Sequence, residues 1–276
     1  MPDIVIHVIA GAAYVGLAWH FWNSRWRSAP GSERQGGGLR GWERAAILAP
    51  LALHAWLLYD GIFAASALRF GFAQALSVMT FLAVALYWIE SLFYHLDGME
   101  PLVLPLAAVA VPLPAIFPGL ASSGAHAQAG AFKVHLALAM IAYSLFVIAL
   151  MHATLMAVAE RQLHRKSALG FGHLPPLLTL ERLLFRVIGA AFVFLTLTLA
   201  SGIVFSEAVF GRPLRADHKT VFAILSWLTF GWLLAGRWLR GWRGRTALRW
   251  TLGGFLLLVL AYVGSRFVLE VILQRA

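Results

Sequence analysis

VHLALAMIAYSLFVIALMHATLMAVA, residues 134–159, contains no Lys, Arg, Asp or Glu. As a helix rising ~1.5 Å per residue it is long enough to cross the ~30 Å of hydrocarbon in a bilayer. Lipid offers no partners to backbone polar groups, so a run of this kind has to satisfy them internally, which a helix does. Working outward, comparable runs lie at 3–22, 45–64, 73–94, 101–120, 183–205, 219–236 and 250–271. The expectation is an all-α, polytopic transmembrane helix bundle of about eight spans, a single integral membrane domain over residues 1–276, with the lipid bilayer as its first partner. Composition agrees: 61% of residues are hydrophobic, 12% are charged and the mean hydropathy is +0.77, whereas a soluble domain has about a quarter of its residues charged.

Several classes of function are excluded at this level. With no cysteine there is no disulfide, thiolate metal site, thiol nucleophile or covalent haem attachment through a Cys-x-x-Cys-His motif. The net charge of +10 comes from Lys and Arg clustered between apolar runs rather than along one polar face, which indicates membrane topology and not nucleic acid. No phosphate-binding loop, His-Glu-x-x-His, Gly-x-Ser-x-Gly elbow or dinucleotide fingerprint occurs, so the chain is expected to be no enzyme. Trp19, Trp22, Trp26, Trp42, Trp238, Trp242 and Trp250 collect near one membrane boundary as an aromatic belt.

Basic residues set the expected orientation. With the N-terminus outside, the inner segments hold 15 of the 22 Lys and Arg and the outer segments 7, so both termini face the outer, periplasmic side of a bacterial inner membrane. The first span has no basic segment before it and carries Asp3 ahead of its apolar run. It is expected to be an uncleaved anchor rather than a signal peptide. The fourth span, with Pro101, Pro105, Pro112, Pro114 and Pro118, must be kinked or broken, its freed carbonyls being met by neighbours.

Ten histidines and no cysteine point to imidazole as the available ligand for haem or a metal. Depth separates them. His135 opens the fifth span on the outer side, whereas His152 lies ~25 Å further along the same helix, so the two cannot share one iron. His126 and His218 also fall at the outer face. His54 is near mid-membrane, either a functional group or a neutral imidazole bonded to a nearby carbonyl or hydroxyl. Glu90 and His95 form either a proton or cation site or an interfacial pair, and Arg266 and Glu270, four apart, share a helix face. The outer segment Phe210-Gly211-Arg212-Pro213-Leu214-Arg215-Ala216-Asp217-His218-Lys219 admits two readings. Its cations and imidazole could hold a ligand with carboxylates, such as haem propionates, or it is a solvated loop in which Asp217 caps the next helix.

The stretch from Phe210 to Gly264 resembles the cytochrome c assembly family of haem-handling membrane proteins. Asp217-His218-Lys219 stands where that family's tryptophan-rich outer motif ends, and Trp227 lies in the following helix. Gly241-Trp242-Arg243-Gly244-Arg245 comes next, and Gly253-Gly254-Phe255 opens the last span. Upstream, Lys133-Val134-His135 with Tyr143, and Glu181-Arg182-Leu183 with Gly202, also fall where the family has similar residues. The resemblance runs from 131 to the end, with residues 1–130 as additional N-terminal spans. It implies haem b at the outer face, His135 on iron, His218 as second ligand, and Arg212, Arg215 and Lys219 near the propionates beside Asp217. The chain departs from the family where Phe210, Leu214 and Ala216 replace tryptophans, where only Gln274 and Arg275 follow the last span in place of an outer histidine, and around Ala235, where a histidine is expected. The function implied is a carrier that binds or relays haem in c-type cytochrome biogenesis, with other cytochrome assembly or membrane proteins as partners. A non-haem scaffold or regulator of a partner transporter or haem-synthesis enzyme is the alternative, and a transporter using His54, Glu90 and the broken fourth span is a third reading.

Overall fold

The computed structural model describes residues 2–27, 38–63, 68–119, 121–122, 130–165, 175–210 and 217–273. Helix α1, Pro2–Phe21, runs on through a π turn at Trp22–Trp26, and is followed by α2, Gly41–Phe63, and α3, Phe72–Phe93. After α4, Glu100–Ala110, and the short α5, Leu113–Ile116, come α6, Gly130–Arg165, α7, Leu177–Phe210, and α8, His218–Arg240. Helix α9, Gly244–Val259, continues the last span through π turns at Leu260–Gly264 and Val268–Ile272 on either side of Ser265–Phe267. Among the described residues seven rods are long and apolar enough to cross a membrane, and residues 100–116 form a shorter apolar eighth.

The shortness of the eighth has a local cause. Pro112 has no N–H to give the carbonyl of Ala108 and ends α4, after which the chain turns and resumes as α5. The Ala108 carbonyl lies against α1, where a Cβ on Gly11 would come within 3.4 Å of its oxygen. A glycine at that position lets the two backbones meet.

Helices α3 and α6 are the most buried spans. Helix α6 packs against α7, α3 and α9, while α1 packs against α4 and α2. Phe146 of α6 stacks on Phe230 of α8 with ring centroids 3.9 Å apart. Phe230 in turn fills the space over Gly254, where a Cβ would fall 2.8 Å from the ring. Outward positions remain apolar, among them Val109 at 67%, Val204 at 61% and Trp238 at 86% exposed. Such a surface is stable in lipid rather than water.

The connections make two faces. On one, the antiparallel strands β1, Leu68–Arg69, and β2, Ala121–Ser122, pair Leu68 with Ser122. Phe72 packs there on Phe117 and Phe267 and donates its backbone N–H to Glu270 at 3.3 Å. This terminal face also carries the starts of α1, α6 and α8. The opposite, arginine-rich face carries Arg25, Arg44, Arg186, Arg237 and Arg245 among others. Its tight turn is Gly241-Trp242-Arg243-Gly244-Arg245. Gly241 and Gly244 take φ of +64° and +57°, a left-handed backbone that glycine adopts without a Cβ penalty. Trp242 lies over Gly236 and stacks on Trp250 at 5.8 Å.

Candidate functional site

His135 sits near the start of α6 on the terminal face, half-buried. Its Nδ1 is 2.9 Å from the Ser201 hydroxyl of α7. Ser201 has one proton and donates it to the Thr198 carbonyl at 2.9 Å, so towards His135 its oxygen accepts. Nδ1 therefore carries the ring proton and Nε2 presents its lone pair. That tautomer, held by an outer hydrogen bond, is the one a metal-ligating imidazole needs. Gly202 lets α7 approach the ring, since a Cβ there would lie 3.4 Å from His135 Cε1. Two turns deeper, Tyr143 donates to the Leu258 carbonyl at 2.7 Å, just before the π turn at Leu260–Gly264. It ties α6 to the last span beneath the histidine.

The second sequence-predicted group lies at the start of α8. Asp217 is the N-cap, with Oδ1 accepting from the Thr220 N–H at 2.9 Å, so the capping reading of this residue is the one the backbone shows. Partial burial opposes its charge, but the Thr220 bonds together with Lys219 and His218 outweigh that and hold the carboxyl below its ordinary range. His218 is exposed and Lys219 half-buried. Arg212 and Arg215 lie outside the described residues. Arg266 and Glu270 pair at 3.8 Å, as their spacing suggested.

A single imidazole with its lone pair free and its tautomer fixed is the donor type that could hold a haem iron. The sequence reading singled out His135 but not Ser201 and Thr198, which lie some 65 residues away on another helix. The signal available was a small polar residue next to Gly202.

Two other intramembrane histidines have different surroundings. His54 is buried with Ser77 Oγ 2.8 Å from Nε2 and Tyr14 Oη 3.4 Å from Nδ1, so each ring nitrogen faces a hydroxyl, as the hydrogen-bonded reading of this residue expects. Glu90 does not pair with His95. Its Oε2 faces Nε2 of His152 at 3.5 Å, while His152 Nδ1 donates to the Ile148 carbonyl at 2.9 Å. His95 instead packs over Gly38.

On the arginine-rich face, Arg25 is only 4% exposed. It reaches Glu43 and Asp97 at 3.0 Å and Glu100 at 3.8 Å, and donates to the Gly38 carbonyl at 3.2 Å. Asp97 accepts from the Gly38 N–H at 2.6 Å and Glu43 from the Arg40 N–H at 2.8 Å. One guanidinium thus gathers the ends of α1, α2, α3 and α4.

A family model described as "Cytochrome C assembly protein" matches residues 45–273. "Inner membrane protein YpjD" of Escherichia coli strain K12 is 29% identical over 246 residues, covering 84% of this chain and 89% of that protein. An "Uncharacterized 28.8 kDa protein in nifR3-like 5'region" of Azospirillum brasilense is 36% identical over 141 residues, 51% of this chain and 52% of that one. "Cytochrome c biogenesis protein CcsA" of Heterosigma akashiwo is 34% identical over 91 residues, 33% of this chain and 28% of that one. No solved structure matches.

Proposed function

The chain belongs to the cytochrome c assembly protein family, and from that membership we propose that it acts in c-type cytochrome biogenesis as a multi-pass inner-membrane carrier of haem b. The cargo would be held at the terminal face, taken as periplasmic from the distribution of Lys and Arg along the sequence. The observation that carries this reading is the His135–Ser201–Thr198 relay. Ser201 is oriented by Thr198, His135 is oriented by Ser201, and Nε2 is left as the free donor.

In this reading His135 would hold the iron and His218 would supply a second imidazole. Lys219, with Arg212 and Arg215, which lie outside the described residues, would supply the positive charge for the propionates. Asp217 fixes the N-terminus of α8 and so the direction in which His218 and Lys219 leave the helix. Haem brings the iron and the two carboxylates. The chain's own part is to bind, orient and release it, with no covalent step. Family relatives support a place in cytochrome assembly, and the donor set around His135 supports haem as cargo.

The alternative is a scaffold or regulator that retains the fold and binds no haem. It is favoured by Phe210, Leu214 and Ala216 where the family has tryptophans. A deletion strain separates the two. A carrier predicts lower c-type cytochrome levels, restored by the wild-type chain and not by an equally abundant His135→Ala. Normal cytochrome levels, with a stoichiometric membrane partner co-purifying, support the scaffold.

A further inference from the structure

Helices α7 and α8 leave an open cleft of about 410 Å³ on the arginine-rich face, lined by Leu178, Glu181, Arg182, Phe185, Arg186 and Arg237. Three guanidiniums meet one carboxylate there, and that carboxylate is spent, since Glu181 pairs with Arg237. Arg237 is further held by the Phe185 ring, 4.7 Å from its centroid, and by the Trp242 carbonyl at 3.3 Å. Arg186 donates to the neutral Tyr94 hydroxyl at 3.2 Å. Among the described residues neither Arg182 nor Arg186 has a carboxylate partner, and both are exposed. The cleft thus carries an uncompensated charge of about two, with one guanidinium fixed in place.

Its depth identifies the chemistry that would neutralise it. Helix α7 has 34 residues, ~51 Å at ~1.5 Å per residue, against ~30 Å of hydrocarbon. Its apolar run begins only at residue 183, so the turn before it extends toward the headgroup layer, with Arg182 at that boundary and Arg186 one turn further in. Leu178, at 69% exposure, and Phe185 put an apolar surface beside the charges within the cleft's own lining. A soluble anion would use the arginines and leave that surface bare, whereas a phospholipid supplies a phosphate and acyl chains together. Basic pockets between spans at a membrane boundary take anionic headgroups for this reason.

We propose that this cleft binds the phosphate of an anionic phospholipid from the leaflet on the arginine-rich face, with Arg182 and Arg186 as its ligands and Arg237 as the fixed third cation. Native mass spectrometry of the detergent-purified chain with added phosphatidylglycerol, phosphatidylcholine or inorganic phosphate tests it. Wild type should retain phosphatidylglycerol at least fivefold more than phosphatidylcholine. The R182Q/R186Q double variant should lose that preference while melting as wild type does, and R182K/R186K should keep part of it. The pair R243Q/R249Q, on the same face outside the cleft, should change nothing. Equal retention of the two lipids by wild type, an unchanged preference in R182Q/R186Q, or equal loss in R243Q/R249Q would overturn the site. Inorganic phosphate displacing phosphatidylglycerol at millimolar concentration would overturn the lipid as its occupant.

Discussion

Glu90 and His152 meet with their acceptor atoms 3.5 Å apart inside the bundle. His152 gives its Nδ1 proton to the Ile148 carbonyl, so Nε2 is a lone pair, and neither it nor Glu90 Oε2 has another partner among the described residues. The contact becomes a hydrogen bond only when a proton sits on one of the two atoms. Glu90→Gln supplies that hydrogen from its amide and should change stability by less than ~1 kcal/mol, whereas Glu90→Leu leaves a buried nitrogen unpaired at ~1–3 kcal/mol. Thermal melting in detergent distinguishes them. If Glu90→Gln falls as far as Glu90→Leu, the proton-sharing reading is wrong.

Arg25 meets three buried carboxylates, Glu43, Asp97 and Glu100, and His20 also reaches Glu43 at 3.2 Å. Its removal takes the guanidinium away from three buried acidic groups, and Arg25→Ala should cost ~3–5 kcal/mol. A melting temperature within a degree of wild type would show that the cluster does not hold the helix ends together.

Gly254 faces a ring that cannot retreat, because Phe230 is stacked on Phe146. Gly254→Ala should therefore destabilise by ~1–3 kcal/mol through overpacking, while Gly253→Ala, with open space around it, should be close to neutral. The same melts report both, and equal effects would contradict the packing described.

Asp217 stabilises the start of α8 in its charged form. Its carboxyl is held low in the folded chain, so this contribution is present above the ordinary carboxylate value of ~3.9 and fades as the pH falls through the lowered folded value. Asp217→Ala should cost ~1 kcal/mol at neutral pH. Asp217→Asn keeps a neutral cap and should remove this part of the acid sensitivity. Melting curves of the three chains at pH 7 and pH 3 read the effect, and an acid response in Asp217→Asn equal to wild type would refute it.

The spans were legible because apolar runs such as Val134–Ala159 have one solution in lipid, and the break in the fourth was legible because Pro112 cannot donate to Ala108. Cap chemistry at Asp217 and the pair Arg266–Glu270 are local and could also be read. Pairings between helices could not. Glu90 has a near neighbour in His95 along the chain, but what it meets is decided by how α3 packs on α6. Arg25 counts as a solvated charge in any positive-inside tally and is buried among carboxylates from three segments. The tautomer of His135 depends on Ser201 and Thr198, on a helix that sequence periodicity does not dock.

Haem binding at His135 is tested most directly by titrating the detergent-purified chain with hemin and recording its absorption. The predicted result is a saturable Soret band of one haem per chain, abolished in His135→Ala and weakened ~10- to 100-fold in affinity in Ser201→Ala, the usual cost of losing the partner that orients a ligating imidazole. No Soret band in the wild type, or one that His135→Ala leaves unchanged, would contradict it.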